Sequence, residues 1–168
     1  IATQYGKKHL RKYGAMFVAV MMAVYIGLMM SFQDGPACTL ENNLTKNCNF
    51  SRWLDLKIFT DKHMMGPTDP EGLFPTLSSL TTAYGGYIFC LIMKDIQNDK
   101  KRLIREWLSY AVFFVLLSLP LALMMPFNKR LWSASFAVVC VGIPGIMLVL
   151  SLLLIDVAGA PGGRFARC

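Results

Sequence analysis

The chain has 168 residues, 55% hydrophobic and only 16% charged, with a formal charge of +7 and a sequence pI near 9.3. A soluble domain of this length can bury a good core, but it has no need of four long stretches without a charge. Nor does the basic balance signal nucleic-acid binding: no aromatic-basic groove pattern or nucleic-acid motif accompanies it, and basic loops beside membrane helices explain it more simply.

The charge-free stretches cover residues 13–32, 72–93, 107–127 and 131–155. Each is long enough to span a bilayer as a helix. The expected fold is therefore all-α: an integral membrane protein with four transmembrane helices, packed as two antiparallel hairpins. Residues 1–12 carry Lys7, Lys8, Arg11 and Lys12 with no acid and read as a basic flank to a transmembrane domain over 13–157. The chain opens at Ile1, which reads as a processed chain or a fragment. The first apolar run lies too far in, and is too long, for a plain signal peptide. Tyr13 and Phe32 sit near its ends, where interfacial aromatics are common.

A long polar loop follows over 33–71, with a net charge of −2. It leads into Asp69-Pro70-Glu71-Gly72. Asp69 suits an N-cap, Pro70 the first helical position, and Glu71 the positive end of the helix dipole. The second helix carries Ser78, Ser79, Thr81, Thr82, Tyr84, Gly85, Gly86 and Tyr87. Such a weakly polar face suits protein or a polar cavity better than lipid on all sides, and small-residue packing is the plainer reading.

The loop 94–106 is basic, with Lys94, Lys100, Lys101, Arg102 and Arg105 against three acids. Lys100, Lys101, Arg102 and Arg105 suit anionic lipid headgroups, cardiolipin if the membrane is mitochondrial. The third helix runs from Trp107 and contains Pro120. A short turn around Asn128, Lys129 and Arg130 leads to the fourth, where Gly142, Pro144 and Gly145 mark a bend or a close-packing site. The tail 158–168 is glycine-rich and irregular by composition. The N-terminus, the 94–106 loop and the tail share one side and eleven bases; the other side holds six. The more basic side is expected in the cytoplasm or the mitochondrial matrix.

Cys38 and Cys48 enclose a short segment of the outer loop, which a disulfide can close in an oxidising compartment. Asn43-Leu44-Thr45 and Asn49-Phe50-Ser51 fit the glycosylation pattern. Cys90 and Cys140 read as small packing residues. His9 and His63 are far apart, and no metal-ligand spacing occurs. There is no internal repeat, glycine-rich phosphate loop or nucleophile elbow.

Several ordered blocks resemble the heparan-α-glucosaminide N-acetyltransferase family of polytopic membrane acyltransferases. They are the Cys38 and Cys48 pair, the run Asn49-Phe50-Ser51-Arg52-Trp53-Leu54-Asp55-Leu56-Lys57-Ile58-Phe59, and His63-Met64-Met65 with Gly66-Pro67-Thr68. Asp69-Pro70-Glu71-Gly72-Leu73 with Thr76-Leu77 is the most specific, and Asn128-Lys129-Arg130-Leu131-Trp132-Ser133-Ala134-Ser135-Phe136 is similar to the entrance of a later family helix. The resemblance covers roughly 13–157, a middle part of a full family member.

The resemblance implies acetyl transfer from acetyl-CoA on the cytosolic side to a glucosamine amine on the lumenal side. That chemistry needs a base and groups that stabilise an oxyanion. The family's catalytic histidine belongs to an early lumenal loop with no counterpart here, so no catalytic residue is assigned. His63 matches a different block and reads as structural or surface. The resemblance would place His63, Asp69 and Glu71 at a substrate cavity, and Asn128, Lys129 and Trp132 at a CoA contact, although a helix entrance accounts for the last three. The expected function is a non-catalytic acyltransferase-like subunit, without cofactor, acting as scaffold beside other membrane subunits in a larger complex. The mitochondrial inner membrane is the expected home, with a lysosomal or other endomembrane as the alternative. The alternative function is part of an acetyl-CoA-dependent N-acetyltransferase.

Overall fold

The computed structural model describes residues 2–45, 47–59, 72–96 and 99–157. Five α-helices occur in it: α1 (Ala2–Ser31), α2 (Phe50–Phe59), α3 (Pro75–Asp95), α4 (Lys100–Met124) and α5 (Ala134–Leu152). A π-helical turn, Leu153–Val157, closes α5. Four segments are long and apolar enough to cross a membrane: Arg11–Ser31, Pro75–Asp95, Lys100–Met124 and Ala134–Ile155. The protein is thus all-helical with four membrane-spanning helices, as its charge-free stretches predict.

The helix starts differ from the sequence expectation. Asp69, Pro70 and Glu71 lie outside the described residues, and α3 begins at Pro75 instead of Pro70, with Gly72–Phe74 bent and turned ahead of it. A proline opens this helix too, but Phe74 precedes it and no side chain caps it. The third span begins at Lys100, ahead of Trp107, because Asp99 caps it: its carboxylate accepts from the Arg102 N–H at 3.0 Å. The four bases Lys100, Lys101, Arg102 and Arg105 therefore stand on the first turns of α4. Helix α1 runs through the basic flank from Ala2, and its membrane-spanning part begins at Arg11. The polar 33–71 loop contains a helix, α2, which its lack of a long apolar run concealed.

Helices α4 and α5 form the closest pair. Glycine makes this possible: a Cβ on Gly142 would lie 2.8 Å from the Ala111 carbonyl oxygen, and one on Gly145 2.9 Å from Ala111 Cβ. Helix α3 packs on α5 in the same way, with Gly85 under Val141 and the Thr82 hydroxyl donating to the Ala137 carbonyl at 3.0 Å. Small residues that let backbones approach are how membrane helices associate, because hydrocarbon supplies no hydrophobic drive between them. Both Pro120 and Pro144 sit inside continuous helices.

The core divides by depth. An inner cluster joins Phe89, Leu103, Trp107, Ala111, Val141 and Val149, and the Trp107 indole N–H donates to the Phe89 carbonyl at 3.1 Å. An outer cluster joins Tyr25, Met29, Phe74, Met125, Leu131 and Ala134. Away from these clusters the helices present apolar side chains outward, such as Leu123, which is 90% exposed. A surface of this kind suits lipid or neighbouring helices rather than water.

The helix directions agree with the charge asymmetry. Arg11 near the start of α1 pairs with Asp95 at the end of α3, which brings the N-terminal flank and the 94–106 loop to one end of the bundle. Tyr25 meets Leu131 at the other.

Candidate functional site at the outer end of the bundle

The outer end holds the Cys38–Cys48 pair and the turn with Asn128, Lys129 and Trp132. Cys38 and Cys48 are joined by a disulfide, with Cα atoms 5.2 Å apart. Gly35 turns the chain in the left-handed region at φ 69°, so that the Asp34 N–H can donate to the Cys38 carbonyl. Asn49 then starts α2 as its N-cap: its side-chain oxygen accepts from the Arg52 N–H at 2.8 Å. Phe50 meets Phe74 edge to face at 4.7 Å and stacks on Trp53 at 5.6 Å. Phe32 at the end of α1 borders both rings.

Both glycosylation triplets lie in this region, and neither asparagine is free. Asn43 is 3% exposed and donates to the Met30 carbonyl at 2.7 Å, satisfying a group at the open end of α1. Asn49 is 1% exposed and donates to the Thr45 carbonyl at 2.8 Å.

Asp55 was not singled out by sequence reasoning. It is 1% exposed, and its carboxylate accepts from the Leu73 N–H at 3.1 Å and faces the Ser51 hydroxyl at 3.4 Å. The link ties α2 to the chain just ahead of α3. The only sequence signal for it is an acid four residues after a serine, which is common on any helix.

The α4–α5 turn holds Asn128, Lys129 and Trp132. The Asn128 side-chain oxygen accepts from the Arg130 N–H at 2.9 Å and the Leu131 N–H at 3.3 Å. The Ser133 hydroxyl accepts from the Asn128 N–H at 3.0 Å and caps α5 through the Phe136 N–H. Ser135 donates to the Met125 carbonyl at 2.6 Å. Asn128 is thus spent on shaping its own turn. Trp132 has φ 50°, uncommon for a residue with a side chain. Its ring meets Phe136 at 5.3 Å, and its buried indole N–H has no partner among the described residues. His63, Asp69 and Glu71, the candidates for a substrate cavity, lie outside the described residues.

A groove of about 560 Å³ lies between α1 and α4 along the middle of the bundle, with α3 as its floor. Ala15, Ala19 and Met22 line one wall, and Tyr110, Phe114 and Leu117 the other. Among the described residues, those lining it with hydroxyls are Thr81, Tyr84 and Tyr110. Tyr84 donates to the Arg11 carbonyl at 2.6 Å, while the buried Thr81 hydroxyl lacks a partner among the described residues. Among the described residues no group of three or more His, Cys, Asp or Glu side chains is placed to hold a metal ion.

Neither a protein-family model nor a curated protein matches the chain.

Proposed function

We propose that the chain is a non-catalytic, acyltransferase-like membrane subunit that acts as a scaffold within a larger membrane complex. The mitochondrial inner membrane is the home we favour. The observation that carries this reading is the use made of polar side chains at the outer end. Asn43, Asn49, Asp55 and Asn128 each hold a backbone group of the fold. A catalyst keeps such groups aimed at the position where charge develops on its substrate.

The resemblance to the N-acetyltransferase family supports the acyltransferase-like part of this reading. The location of Asn128 and Lys129 also supports it. Their turn shares an end of the bundle with the Cys38–Cys48 disulfide, away from the basic end. Disulfides belong to oxidising compartments, whereas the family's acetyl-CoA arrives from the cytosolic side. An oxidising intermembrane space and a basic matrix face suit the same arrangement.

Gentle solubilisation followed by intact-mass analysis tests the proposal. The expected result is that the chain co-purifies with a large assembly. Acetyl-CoA binding by that chain, lost on Asn128→Ala with Lys129→Ala, would favour the acetyltransferase alternative instead.

A further inference from the structure

We propose that the groove between α1 and α4 receives a transmembrane helix of another subunit, one with small residues facing α1 and acidic residues where it leaves the bilayer on the basic side. Such a helix belongs to the larger complex and so rests on the scaffold reading.

The groove has the shape of a helix seat. It follows α1 from Ala15 to Ile26 and α4 from Tyr110 to Leu121. Each wall is three turns long, about 16 Å. On α1 the small residues Ala15, Ala19 and Ala23 line it at every fourth position, and Gly27 continues their series. Residues so spaced let two helix backbones approach closely in a bilayer. Among the described residues nothing covers this stripe: the three alanines are exposed, and a Cβ on Gly27 would meet nothing within 4 Å. Gly14, Gly85, Gly142 and Gly145, by contrast, each lie under a side chain of a neighbouring helix.

The floor of the groove favours a helix over a lipid tail. Thr81 lines it, is 9% exposed, and its hydroxyl has no hydrogen-bond partner among the described residues. The neighbouring Ser79 and Thr82 hydroxyls both donate to backbone carbonyls, Thr82 to one on α5. Thr81 stands six residues inside the outer start of α3, about 9 Å into the span. An acyl chain brings no acceptor to that depth. A helix brings carbonyls at every turn, and a small residue leaves them open, as Ala137 does for Thr82. Charge favours another subunit over a second copy. Lys12 is exposed one turn before Ala15 and Met16, and Lys8 comes a turn earlier along α1. Two copies in one membrane hold their α1 helices parallel, so α1 against α1 would bring these bases together, and like charges in apposition cost affinity. At the same end Arg11 pairs with Asp95, and Glu106, in register with the α4 wall, lies 3.9 Å from Arg105. Acid on the incoming helix is therefore placed to face Lys8 and Lys12 on α1.

The test is photocross-linking of the full chain in its native membranes, followed by gentle solubilisation. A small diazirine-bearing aliphatic residue in place of Ala23 should attach to one defined polypeptide on illumination. Peptide mapping should place the link in an apolar span with acidic residues at its basic-side end. The same group in place of Phe17, which is 55% exposed on the other side of α1, should not attach to that polypeptide. Ala19→Leu with Ala23→Leu, which fills the seat, should cut retention of the polypeptide about fivefold or more, and Thr81→Val about threefold. Phe17→Leu should leave retention unchanged. Lipid or a second copy of the chain as the cross-linked product would overturn the proposal, as would undiminished retention by both groove variants. Should the double leucine variant fail to fold, the cross-link from the otherwise unaltered chain decides. A chain that enters no large assembly overturns the scaffold reading and the seat together. A chain inside an assembly whose groove labels lipid overturns the seat alone.

Discussion

The hydroxyl of Tyr25 donates to the carbonyl oxygen of Leu131 at 2.6 Å, across 106 positions of the chain, and no part of Tyr25 is exposed. The ring also stacks on Phe74 at 5.1 Å. One side chain thus fastens α1 to both the α4–α5 turn and the entrance of α3. Tyr25→Phe keeps the stacking and orphans the carbonyl. It is expected to cost about 1 kcal/mol, read by denaturant unfolding in mixed micelles. No change would mean that Leu131 finds another donor.

The glycines separate cleanly by what surrounds them. Gly142→Ala would drive a Cβ against the α4 backbone at Ala111 and Val115, which a side-chain rotation cannot relieve. A loss of about 1–3 kcal/mol is expected. A Cβ on Gly86 meets nothing within 4 Å, so Gly86→Ala should be neutral or stabilise by about 0.5–1 kcal/mol. Thermal melts of the two variants side by side would check the contrast. Equal effects would mean that α4 and α5 do not approach as described.

Asn43 and Asn49 are expected to carry no glycan in the folded protein, because a sugar on either buried amide would displace its backbone partner. Treatment with a peptide N-glycosidase should leave the electrophoretic mobility unchanged. Asn49→Ala should also weaken α2 by about 1 kcal/mol through loss of the cap.

Reduction of the Cys38–Cys48 bond is expected to loosen the outer loop selectively. The loop it closes is short, so a loss near the lower end of the usual 2–4 kcal/mol follows. Maleimide labelling with and without reductant provides the measurement. Both cysteines should react only after reduction, and labelling beforehand would place the loop in a reducing compartment.

Sidedness offers a further check. Leu40→Cys in the exposed outer loop and Arg105→Cys on the exposed start of α4 should label from opposite faces of sealed vesicles. Labelling from one face would contradict four crossings.

The spans were readable because a bilayer imposes a length and forbids charge, and both constraints are written plainly in the order of residues. The ends of the helices were less so. Asp69 beside Pro70 has the composition of a helix start, yet α3 begins at Pro75, where Phe74 packs with Tyr25 and Phe50 in the outer cluster. Asp99 looked like one acid among several in a basic loop until its carboxylate was seen on the Arg102 N–H. Helix α2 was hidden because its buried face includes Ser51 and Asp55 and so lacks an apolar stripe. Within the candidate site, the Cys38–Cys48 pairing was open to reading, since proximity in sequence limits how far apart the two can lie. The duties of Asn128 and Asp55 were not, because both partners are backbone groups that any residue possesses.

In the α4–α5 turn the N–H groups of Asn128, Arg130, Leu131, Trp132 and Ser133 all find acceptors inside the turn itself. These backbone N–H groups need neither water nor a neighbour when the hairpin leaves the translocation channel, and the Leu131 carbonyl is satisfied later by Tyr25. Residues 100–152 are therefore equipped to enter the bilayer together, as one late cargo, and to stand there before α1 has docked. An insertion reporter fused after residue 152 in a chain lacking α1 should still see both crossings completed.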